Sequence, residues 1–138
     1  MRPSLTVIFA IVSSAAIAEG SSVPYGGGGR FERFDPIVSQ YNRTGELFRI
    51  EGHCRSMCTL FLGIKNVCID RRATLLFHAG SDRARNIHPG PTNRMLNAYN
   101  ASLRSYLIAN HAMETLRLHS ISGRDLIQKF GYRECPGK

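Results

Sequence analysis

The chain has 138 residues, 43% of them hydrophobic, and carries 18 lysines and arginines against 10 aspartates and glutamates, a formal net charge of +8. That length supports one small domain and no more. Fifteen of the basic residues are arginine, spread through Arg30, Arg43, Arg55, Arg71, Arg83, Arg104, Arg117 and Arg133 rather than clustered and interleaved with aromatics, which argues against specific nucleic-acid binding. An evenly basic surface suits contact with an anionic envelope or an acidic partner, or is simply a solvated face.

The first residues hold an early Arg2, an apolar stretch from Leu5 to Val12 and small residues ending in Ala16-Ile17-Ala18. This is the pattern of a secretory signal peptide over residues 1–18, with cleavage expected after Ala18. The apolar stretch is well short of the roughly 20 residues that a spanning helix needs. Export, to a periplasm or out of the cell, is therefore expected, with residues 19–138 as the mature chain.

In that setting an even count of cysteines, Cys54, Cys58, Cys68 and Cys135, reads as two disulfides. Three connectivities are open. Cys135, near the C-terminus, is expected to tie the tail onto the CxSxC segment or onto the strand carrying Cys68. His53, Cys54, Cys58 and Cys68 have the residue types of a zinc site but lack a paired CxxC, and no metal or other cofactor is expected.

Residues 19–33 contain Pro24 and the run Gly26-Gly27-Gly28-Gly29, and read as a flexible segment ahead of a single domain over 34–138. Phe34, Ile37, Val38 and Tyr41 recur at helical spacing, with Thr44-Gly45 closing a short amphipathic helix. Residues 46–52 alternate as a strand does. Residues 55–64 (RSMCTLFLGI) are apolar nearly all round, as a buried helix would be. Residues 67–69 and 74–78 suit one interrupted strand or two short ones.

A polar loop over 79–91 follows, and Thr92 can cap the next helix. From Asn93 to about Leu118 the apolar spacing predicts one long helix or two abutting ones. Ser122 offers an N-cap, Asp125 stands in the first turn of the helix it opens, and Gly131 stops that helix. The order predicts an α/β fold: a small parallel β-α-β core flanked by helices, with a helical C-terminal half.

Within this order, Ser56 begins a helix just after a strand, where backbone N–H groups could stabilise an oxyanion. Serine needs a base within hydrogen-bond reach. His78 ends the strand after that helix, and in a β-α-β unit the two positions share one sheet edge. Taken singly, Ser56 also suits a helix cap and His78 a hydrogen-bonded strand-end residue.

Gly28-Gly29, Ser56-Met57 before an apolar helix, and Leu75-Leu76-Phe77-His78 resemble the landmarks of the ClpP and crotonase superfamily, in its ClpP-like serine peptidase branch. With GHCRSMCTLFL, VCIDRRATLLFHAG, SGRDL and a late cysteine, residues 26–135 look like a group of small exported ClpP-like proteins of bacteria. The resemblance implies Ser56 as nucleophile, His78 as general base and Asp125 as third member. It also implies Gly28 or Gly29, together with Met57, as oxyanion donors. Few residues precede the glycines, so the family's opening strands and helix would be largely missing, leaving a face that a second copy could cover.

Two functions are then expected to compete. One is a serine hydrolase, peptidase-like, acting on a peptide or protein. The other is a catalytically inactive relative that binds an acidic partner or an envelope surface, with CxSxC as a disulfide staple.

Overall fold

Two lengths of chain, each a strand that bends partway, organise the fold. The computed structural model describes residues 1–4, 6–11 and 19–138. The first length gives β2 (Phe48–Ile50) and, past Gly52, β3 (His53–Arg55); the second gives β4 (Val67–Ile69) and, past a turn at 70–73, β5 (Thr74–Phe77). They run side by side: β2 pairs β4 in parallel, and β3 pairs β5 in parallel. Because both bend at the same level, one parallel unit is shared between two sheets.

The edges complete each sheet. Strand β1 (Gly20–Ser21) adds in parallel to β2, giving the order β1-β2-β4. Strand β6 (His119–Ser122) adds antiparallel to β5, giving β3-β5-β6. The fold is thus mixed α/β with one parallel and one mixed sheet. An all-parallel core is not what forms, because the chain after Ala109 leaves its helix and returns along β5 instead of continuing as helix to Leu118.

The crossover between the two lengths is a 3-10 helix, Ser56–Gly63. Such helices seldom exceed three or four residues. This one is buried on every side from Met57 to Leu62 and stapled at its start by the Cys54–Cys58 disulfide. Phe61 sits at the centre of the core, its ring 5.5 Å from Tyr25, 5.2 Å from Phe34 and 4.4 Å from Phe48. Phe34 comes from α1 (Phe31–Thr44), whose apolar face covers the crossover helix.

The expected 93–118 helix is two helices, α2 (Pro89–Ala98) and α3 (Ala101–Ala109). Asn100 makes the break. Its side chain accepts from Leu103 N–H to cap α3 and donates to the Phe130 carbonyl, while its own N–H donates to Tyr132 Oη. A residue that bonds three partners outside the helix ladder ends that ladder. Helix α4 (Gly123–Phe130) starts and stops where the sequence predicts, with Ser122 Oγ accepting from Asp125 N–H and Gly131 after the last turn.

The glycine-rich segment is a correction to the expected linker. The Gly26 carbonyl accepts from Arg55 N–H at 2.9 Å, and a Cβ on Gly26 would overlap the His53 carbonyl. Together with β1 and the buried Ser22, residues 19–33 are part of the domain. They are held by close backbone approach that only glycine permits.

The disulfides are Cys54–Cys58 and Cys68–Cys135, so the tail is tied to the strand carrying Cys68. All four sulfurs are consumed, which leaves no thiolate for a zinc site. Leu5, Val12 and Ala16-Ile17-Ala18 of the expected signal peptide lie outside the described residues. Its described residues Val7, Ile8, Phe9 and Ile11 are exposed and take no part in the core. Among the described residues no helix is long and apolar enough to cross a membrane.

Candidate active site

Parallel pairing of β3 with β5 decides what meets at their carboxyl ends. Arg55 lies opposite Leu76, so Ser56 and His78, the next residues out, leave the same edge of the sheet on adjacent strands. Both line a cleft of 430 Å³ with Gly29 and Met57, and both line its continuation of 410 Å³ towards Leu116 and Leu118. The structure therefore brings together four of the residues that the sequence singled out.

Ser56 has φ 58°, a left-handed conformation unusual for a residue with a Cβ. Its backbone turns sharply from strand into helix there, and the turn is held from three directions. The disulfide joins the residues two before and two after it. Gly28, itself at φ 81°, packs so closely that a Cβ there would stand 2.9 Å from the Arg55 carbonyl and 3.1 Å from Ser56 Cβ. Thr59 Oγ1 donates to the Ser56 carbonyl at 2.7 Å.

Thr59 is buried, and its hydroxyl lies 2.6 Å from Tyr99 Oη. Since the Thr59 proton goes to the Ser56 carbonyl, Tyr99 is the donor in that pair. Burial pushes the Tyr99 phenol well above its ordinary value, so the proton needed for this relay stays in place. A chain of two hydrogen bonds thus runs from α2's end to the serine's backbone.

His78 Nδ1 lies 2.6 Å from the Ala79 carbonyl. A carbonyl only accepts, so Nδ1 carries the hydrogen, and in the neutral ring the lone pair is on Nε2. That is the tautomer a general base needs. No hydrogen bond joins the ring to Ser56 Oγ, which has no hydrogen-bond partner among the described residues, although both groups line the cleft.

The amides divide in the same way. Gly28 N–H donates to the Tyr25 carbonyl at 3.0 Å and is spent on that turn. Gly29 N–H has no partner among the described residues, and Met57 N–H belongs to the first turn of the crossover helix, where donors have no partner within the helix. Gly29 and Met57 are the pair that line the cleft.

No protein-family model, curated protein or solved structure matches the chain.

Asp125 is not brought to His78. Strand β6 runs antiparallel to β5, pairing Ser122 with Thr74 and His119 with Phe77, so α4 begins at the opposite end of β5. Four strand residues, on the order of 13 Å, intervene. The Asp125 carboxylate instead lies 3.4 Å from Lys129 Nζ one helical turn on. The histidine's orienting partner, the Ala79 carbonyl, has no sequence signal because any residue supplies it. Thr59 and Tyr99 had a weaker one: both are hydrogen-bonding side chains at positions where the helical pattern calls for burial.

Proposed function

We propose that the protein is an exported serine hydrolase of peptidase type, with a ClpP-like arrangement of nucleophile and base. The observation that carries this reading is Ser56 in a strained turn at the end of β3, sharing a cleft with His78 at the end of the neighbouring parallel strand. Strain of this kind costs about 1–3 kcal/mol and persists where surrounding structure over-determines it.

In the proposed cycle Ser56 Oγ attacks the carbonyl carbon of the substrate as His78 Nε2 takes the hydroxyl proton. The oxyanion is met by the Gly29 and Met57 amides. Collapse breaks the scissile bond, and His78 returns the proton to the departing amine. Water then attacks the ester on Ser56 with His78 again as base, which releases the acid and restores the serine. The Ala79 carbonyl takes the orienting role that the resemblance gave to Asp125.

A second reading, an inactive relative that binds an acidic partner or envelope surface, is favoured by the missing Ser56–His78 hydrogen bond and by Asp125's position. Catalytic hydrogen bonds are often long in a ligand-free site and tighten with substrate bound, so the hydrolase is the stronger reading. Treating the folded, disulfide-intact protein with a fluorophosphonate probe separates them. Labelling at Ser56 that disappears in Ser56→Ala and His78→Ala is the expected result. A folded protein that takes no label would sink the hydrolase.

A further inference from the structure

The cleft has two halves on either side of Ser56 and His78, and their charge differs. On the α1 side, Arg30 and Arg83 stand with Glu32 and Asp82, so each sign is present. On the Leu116 side the charged lining is Arg55 and Arg85 alone, with Leu116 and the exposed Leu118 as its apolar lining. Neither guanidinium is in an ion pair among the described residues; Arg55 reaches only the Gly27 carbonyl, at 3.5 Å.

Arg85 is placed there against its own preference. Among the described residues three non-glycine residues have positive φ, and two of them, Ser56 and Arg85, line this half of the cleft. The loop enforces it: Asp82 N–H donates to the Asn86 carbonyl, Asn86 N–H to Asp82 Oδ1 and Arg85 N–H to the Asp82 carbonyl, while Ser81 and Ile87 pair as a bridge. A tight turn that wants glycine or asparagine holds an arginine at its tip.

We infer that this half-cleft is a specificity pocket for a carboxylate-bearing side chain, glutamate or aspartate, next to the scissile bond, with Arg55 and Arg85 as its determinants. The inference rests on the hydrolase reading for the bond but not for the binding. Two guanidiniums offer forked donors to one carboxylate, and the two leucines suit the methylene stem of glutamate. Both guanidiniums are exposed, so a neutral side chain there would leave them to water and gain no charge attraction.

The test uses the Ser56→Ala protein, titrated at low salt with acetyl-Ala-Glu-Ala-amide and acetyl-Ala-Gln-Ala-amide and followed by NMR shift mapping. The glutamyl peptide should bind about tenfold more tightly, a preference that salt weakens. Arg55→Ala and Arg85→Gly should each erase most of it, and glycine suits the turn at φ 64°, so that variant keeps the loop. Equal affinities, or no measurable binding of either peptide, would overturn the inference. Cleavage sites of the unaltered protein on a mixed peptide library give the second arm, with acidic residues expected beside the cut bond. Failure of probe labelling with the glutamyl preference intact would remove the hydrolase alone, and labelling without that preference would remove the pocket alone.

Discussion

Ser56 occupies a backbone region in which a Cβ costs roughly 1–2 kcal/mol. Glycine would relieve that strain, less about 0.4–1 kcal/mol for the freedom it adds to the unfolded chain. Ser56→Gly should therefore hold or raise stability, by up to about 1.5 kcal/mol in urea melts, and abolish probe labelling, whereas Ser56→Ala should abolish labelling and leave stability almost unchanged. A destabilised Ser56→Gly would mean that the turn is not strained. Ser56 and His78 were legible because a strand, a helix and a strand in sequence put the start of the helix and the end of the second strand at one edge. Asp125 was misread because spacing along the chain carries no direction: nothing in its neighbourhood tells whether the strand before it runs with β5 or against it.

At the scale of elements, the turn from β4 to β5 moves the chain from one sheet to the other and hangs on Asp70. Its Oδ1 accepts from Arg72 N–H at 2.8 Å, and its carbonyl from Ala73 N–H at 2.9 Å. The hydrogen bond from Arg72 N–H, with the Arg72 guanidinium adding to it, holds the Asp70 carboxyl below its ordinary value. A carboxyl depressed by folding contributes stability above its unfolded value, near 3.9, and loses that contribution as pH falls through the folded value. Asp70→Asn should thus be less stable than the unaltered protein at pH 7, with the gap closing as urea melts are taken below about pH 4. A gap that widens on acidification would contradict this account of the turn.

Among the elements, α1 and α4 were readable from periodicity, capping and terminal glycine, all local signals. Strands β3 and β6 were not. His53-Cys54-Arg55 and His119-Ser120-Ile121-Ser122 are short, with only one buried residue each, Cys54 and Ile121. They become strands because β5 lies between them. Long-range pairing of that kind leaves little trace in three or four residues.

For the molecule as a whole, the two disulfides do unequal work. In a chain-entropy account the stabilisation grows with the length of loop closed. The sequence separations of 67 and 4 give about 4 kcal/mol for Cys68–Cys135 and about 2 kcal/mol for Cys54–Cys58. Denaturant midpoints of the two double-alanine variants should follow that order, and the reverse order would show that the local staple is the main stabiliser. The long disulfide is not alone at the chain's ends: buried Arg49 on β2 bonds Glu19 at 2.6 Å and the Pro136 carbonyl at 2.8 Å, so residues from both ends of the domain converge on one guanidinium.

Connectivity also sets a timetable. A chain made amino end first presents Cys54, Cys58 and Cys68 well before Cys135. Through that interval Cys68 has no native partner, and the only thiols it could meet are the two that flank Ser56. Closing Cys54–Cys58 first takes both out of reach. A Cys54–Cys58 bond closed in that interval would guard the later bond from mispairing and set the serine's turn before the rest of the domain is locked.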